Sequence, residues 1–129
     1  MDRTEVIYLD THVLVHLFFG DVHRLGAAAR KAIERNDVVA SAAAVLELEL
    51  LHEIGRLKPT ASKLVALLAG DIGLRVCDLP FRTVVDHAIA EGWTRDPFDR
   101  LIVANAKAAG AALVTKDERM RDHYSRTVW

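Results

Sequence analysis

Two aspartates three residues apart, Asp96 and Asp99, open the run RDPFDRLIVANAKAAGAALVTKD from Arg95 to Asp117, and a third closes it. The segment between them is built from Leu, Ile, Val and Ala, a poor medium for a lone carboxylate. Asp96 suits a helix N-cap, Pro97 the first helical position and Asp99 the capping-box position, so capping alone accounts for Asp96. Asp99 asks for more. At about 100° per residue it lines up with Ile102, Val103, Ala106 and Gly110, the face that packs inward.

Two further acids stand in apolar surroundings. Asp10 ends the β-prone run Val6-Ile7-Tyr8-Leu9, and Glu47 falls in the middle of the stripe Ala43, Leu46, Leu50, Leu51, Ile54 and Leu57 of a helix over 42–57. On the same wheel Glu49 lies outside that stripe and Glu53 at its margin, as solvated residues do. Independent caps have no reason to converge. Several carboxylates at one place repel one another and raise each other's pKa unless a divalent cation neutralises them. Oxygen donors without Cys or clustered His favour Mg²⁺ or Mn²⁺ over Zn²⁺. His12 and His16 are four apart on a helix but have no third partner, and His23, His52, His87 and His123 are scattered.

The elements that must carry these acids follow from periodicity. Strands are expected at 6–9, 38–40, 74–77 and 112–114, with 126–129 as an added edge. Helices are expected over about 12–19, 22–35, 42–57, 60–70, 81–91 and 97–109. Strands alternating with helices specify an α/β fold with a short, mainly parallel sheet covered on both faces. Ligands of such sheets lie outside the carboxyl ends of the strands. Asp10, Glu47, Asp96, Asp99 and Asp117 all map to that edge.

A chain of 129 residues without repeats or linkers reads as a single domain over 1–129. Hydrophobic residues make up 51% and aromatics only 6%, which suits helices on a short sheet. The formal net charge of −1 excludes a general basic field for polyanions, so any nucleic-acid contact must come from local charge. Arg95, Arg100, Lys116, Arg119 and Arg121 flank the acids in sequence and are the candidates for phosphate contacts. Cys77, the lone cysteine, reads as a small buried hydrophobe and excludes an internal disulfide. No apolar run approaches a membrane span of about 18 residues, so a soluble cytoplasmic protein is expected.

The stretches YLDTHVLVHL (8–17), SAAAVLELELL (41–51), DPFDRLIVANA (96–106) and LVTKD (113–117) resemble, in order and spacing, the PIN-domain family, and within it VapC-type toxin ribonucleases of toxin–antitoxin pairs. The resemblance implies a three-layer α/β/α fold and a Mg²⁺- or Mn²⁺-dependent endoribonuclease that hydrolyses RNA with metal-activated water. Carried over by motif, the family acids are Asp10, Glu47, Asp99 and Asp117, with Asp96 at an additional acidic position. Thr11 and Thr115 fall at small hydroxyl positions beside them that could hold a ligand or water. His12 stands where many relatives have a small or amide residue. The resemblance further implies a cognate antitoxin protein and a homodimer, for which the Leu-rich helices at 42–57 and 60–70 could supply a groove. Two other readings compete: a Mg²⁺-dependent phosphoryl-transfer or receiver-like domain using Asp10, Asp78 and Lys116, and a PIN-fold interaction module that no longer cuts. Neither D-x-D nor paired acids follow the first strand, and all four core acids are present.

Overall fold

The computed structural model describes residues 5–129. Five strands form one parallel sheet: β1 (Val6–Leu9), β2 (Asp37–Ala40), β3 (Arg75–Val76), β4 (Ala112–Val114) and β5 (Thr127–Val128), in the order β3-β2-β1-β4-β5. The helices are α1 (Thr11–Phe18), α2 (Ala27–Arg35), α3 (Ala42–Glu53), α4 (Ala61–Ile72), α5 (Phe81–Ala88), α6 (Pro97–Ala109) and α7 (Glu118–His123), with a 3₁₀ turn at Val22–Arg24. The α/β/α class read from the sequence holds, edge strand included.

The strand order matters most for function. The chain steps from β1 to β2 to β3, then crosses back to the other side of β1 for β4 and β5. Parallel strands are joined by crossovers of one hand, so a reversal of direction puts helices on both faces. It also leaves a crevice between the carboxyl ends of β1 and β4, where the connections diverge. Leu9 pairs with Val114 in register, and the Asp10 amide donates to the Val114 carbonyl at 3.0 Å. Asp10 and the residues after Val114 therefore meet across that crevice.

Some boundaries differ from the sequence reading. The helix expected at 22–35 breaks at Leu25-Gly26, because Gly26 lies under the end of the sheet: a Cβ there would sit 2.4 Å from the Trp129 carbonyl oxygen. That oxygen also accepts from the Ala29 amide at 3.3 Å. Gly26→Ala is expected to destabilise the fold by about 1–3 kcal/mol through this clash; an unchanged melting temperature would show that the contact yields freely. The helix expected to reach Leu57 ends at Glu53, where Gly55 turns the chain at φ +80°. α7 lies in the stretch KDERMRD, where the sequence reading places no helix.

The face of α3 is also corrected. Its inward residues are Ala44 and Leu48, whereas Leu46 is 56% and Ile54 65% exposed. The main core runs from Ile7, Leu9, Leu14 and Leu48 to Leu64, Ile102, Leu113 and Met120, and Val84, Ala88 and Ala104 form a smaller cluster between α5 and α6. A small polar cluster of Tyr8, Cys77 and Asn105 packs against the main core. Cys77 is a half-buried thiol rather than a plain hydrophobe: its Sγ accepts from Tyr8 Oη at 3.0 Å and Asn105 Nδ2 at 3.1 Å. These bonds satisfy Asn105, which is 3% exposed, and burial holds the Tyr8 phenol far above its ordinary pKa.

Candidate active site

Asp10 follows β1 directly and caps α1. Its Oδ1 accepts from the Thr11 amide at 2.7 Å and its Oδ2 from Thr115 Oγ1 at 2.8 Å, leaving the residue 6% exposed. Thr115, one residue beyond β4, is fully buried, and its hydroxyl oxygen also accepts from the Asp117 amide at 3.0 Å. One hydroxyl thus ties the two strand ends together. Asp117 in turn caps α7, accepting from the Met120 amide at 3.0 Å.

Glu47 reaches the crevice from α3, and its Oε1 accepts a hydrogen bond from Thr11 Oγ1. Asp96 caps α6 through the amides of Phe98 (2.8 Å) and Asp99 (3.2 Å), with Pro97 at the first position as the sequence specifies. Asp99, half-buried in the first turn of α6, accepts no side-chain hydrogen bond from the described residues. It is the acid with the least local support.

Charge repulsion couples Asp99 to each of the other four acids. Burial first, then Asp96, Asp117, Asp10 and Glu47, push the Asp99 carboxyl up to about 7. Burial also raises Asp10 above its usual value; the Thr115 and Thr11 bonds oppose that shift and Asp117 adds to it. Glu47 is raised by burial, against the Thr11 bond, with Asp10 and Asp96 adding repulsion. Among the described residues no three carboxylates or imidazoles are already close enough together to enclose an ion. Each of the other four is held by the caps and threonines just named. The donor set still fits a hard divalent cation: every candidate ligand is oxygen, and the mutual repulsion that raises Asp99 is what a positive ion removes.

Thr115→Val tests the hub. Removing the hydroxyl leaves the buried Asp10 carboxylate short of a donor and is expected to cost about 1–3 kcal/mol of stability. Thr115→Ser should keep nearly all of it. Equal melting temperatures for the two variants would show that the hydroxyl contributes nothing.

The basic candidates sort differently in space. Arg100 donates from Nε to the Thr94 carbonyl at 2.7 Å, Arg95 donates to Gly92 O at 3.1 Å, and Arg119 donates to the Trp93 carbonyl while its guanidinium lies 5.6 Å from the Trp93 ring centre. His123 stacks on the same indole at 4.9 Å. Arg100 and Arg119 thus brace the loop that leads into Asp96, as does Glu91, 4% exposed and paired with Lys107 at 2.9 Å. Lys116 is the one that opens onto the acids. It lines a cavity of about 370 Å³ together with Asp10, His12, Val13, His16, Asp117 and Trp129. The sequence reading missed Trp129 and His16 as members of this site; only the pairing of β5 beside β4 brings the indole there.

No helix among the described residues is long and apolar enough to cross a membrane. The PIN domain model matches residues 7–125. The chain is 37% identical to Ribonuclease VapC22 of Mycobacterium tuberculosis over 130 aligned residues, 95% of this chain and 98% of that protein. Among solved structures it is similar to a toxin–antitoxin complex from Klebsiella pneumoniae, with a TM-score of 0.66 at 16% identity, covering 95% of this chain and 96% of that one. It is also similar to VapBC2 from Rickettsia felis bound to a promoter DNA fragment, with a TM-score of 0.64 at 14% identity, covering 96% and 99%. At these identities the two structures speak to the fold, whereas the sequence model and the mycobacterial relative speak to descent. With acids at the switch point of a β3-β2-β1-β4-β5 sheet and both matches spanning nearly its whole length, the chain belongs to the PIN domain family.

Proposed function

We propose that the chain is a metal-dependent endoribonuclease, the toxin of a type II toxin–antitoxin pair, acting in the cytoplasm as a single domain over 1–129. The observation that supports this most is the half-buried Asp99 carboxylate repelled by Asp96, Asp117, Asp10 and Glu47. Similarity to a protein named as a ribonuclease supplies the reaction class.

In this reading Asp10, Glu47, Asp99 and Asp117 hold Mg²⁺ (or Mn²⁺), with Asp96 beside them. The ion, when bound, lowers the pKa of a water and relieves charge on the phosphoryl oxygens. The chain's own residues do the rest. Thr115 fixes the Asp10 carboxylate, and Thr11 fixes Glu47 from its hydroxyl and Asp10 from its amide. Lys116 stands at the rim, where a cation offsets the repulsion between the acids and RNA phosphates. Arg95, Arg100 and Arg119 hold the loop before Asp96, and their remaining N–H groups are the further candidates for phosphate.

For partners we propose RNA, a cognate antitoxin protein and a second copy of the chain. The apolar side chains of Leu46, Leu50 and Ile54 left exposed on α3, with Phe81 and Ile89 on and just after α5, support a protein partner. The receiver-like alternative gains nothing from the fold. β2 stands between β1 and β3, which sets Asp78 beyond β3 about 10 Å from the Asp10 strand at two strand spacings.

The test is incubation of the purified protein with total RNA in Mg²⁺, in Mn²⁺ and in chelator, followed by mapping of the cut ends. Defined ends that appear only with metal are expected. Absence of cleavage under every condition would return the chain to the interaction-module reading.

A further inference from the structure

The cavity beside the acids has two unlike walls. Trp129 and Val13 make an apolar side, while the Lys116 ammonium and the His12 and His16 rings make a hydrogen-bonding side that runs into Asp10 and Asp117. Its volume of about 370 Å³ falls in the range of about 300–1,000 Å³ that takes small organic ligands. The backbone that carries the indole is anchored: the Trp129 main-chain oxygen accepts from the Ala29 amide, and Val128 beside it pairs with Val114.

We propose that this cavity seats one nucleotide of single-stranded RNA next to the cleaved bond, its base against Trp129 and its phosphate toward Lys116, His12 and His16. The proposal rests on the ribonuclease reading for the bond that is cut, but the subsite stands on its own lining. An aromatic face takes any base, since every base has a π-face, and a neighbouring cation takes the phosphate. His16 is held below its ordinary pKa by burial first and then by Arg24, His12 and Lys116, a repulsion that a bound anion would ease.

Two measurements test it. Trp129 and Trp93 are the only tryptophans, so in a Trp93→Phe background fluorescence reports Trp129 alone. Titration with adenosine and uridine 5′-monophosphates, without divalent ions, should quench that emission, and Lys116→Ala should weaken the binding. On a short single-stranded oligoribonucleotide with Mg²⁺, Trp129→Ala should raise KM roughly tenfold with kcat little changed, and Trp129→Phe should restore most of the loss. Lys116→Ala, at an exposed position, covers the case in which Trp129→Ala fails to fold. Intact cleavage with KM unmoved in both alanine variants would overturn the subsite and leave the ribonuclease reading standing. Quenching by nucleotides in a protein that cuts no RNA would do the reverse. Quenching by an apolar or basic peptide but by neither nucleotide would overturn the subsite in favour of a protein occupant.

Discussion

Asp99→Asn is expected to remove RNA cleavage, by on the order of a hundred- to a thousandfold or more, while making the metal-free protein more stable at pH 8. The two effects have one cause. A charged Asp99 is repelled by four other acids, and the amide keeps its shape without its charge. Destabilisation of an apo site of this kind is a trade between function and stability. Cleavage assays and thermal melts on the same preparation check it. Loss of both activity and stability would mean that Asp99 supports the fold instead.

Stripped of divalent ions, the wild-type protein should lose stability as pH rises from weakly acidic to alkaline. The direction follows from linkage. The folded-state pKa of Asp99 is raised from 3.8 to about 7, so its contribution is fully present below about 3.8 and is lost as pH rises through about 7. Asp10 and Glu47 are raised as well and act in the same direction. Because Asp99 is only half-buried, solvent screening brings its share down to about 1–2 kcal/mol. Mg²⁺ or Mn²⁺ should reverse the trend, raising the melting temperature more at pH 8 than at pH 5. An equal gain at both values, or none, would remove the cation from the account. Asp99→Asn should flatten the metal-free profile.

Much of this was readable from spacing. The acids after β1 and at the head of α6 were visible because strand ends and Pro97 mark element boundaries locally. What escaped depends on distant contacts. Nothing near Gly26 announces that the backbone of Trp129 will lie against it, so the broken helix at 22–35 read as continuous. α3 is apolar on nearly every side, so a wheel gives the spacing of Leu46, Leu50 and Ile54 but not which side turns to the core. Glu47 stands out in the sequence through a stripe that faces solvent in part; in the structure its carboxylate meets the Thr11 hydroxyl at the crevice. Trp129 joins the cavity only once β5 has paired, and no local motif encodes that.

The bond from Thr115 to Asp10 spans 105 positions. Contacts that close so large a loop form late. During synthesis, then, a nascent chain released only as far as α6 holds its first aspartate with no partner from the far strand, and the crevice has one wall. The site proposed above is therefore complete only when the far end of the sheet has emerged and paired with β1.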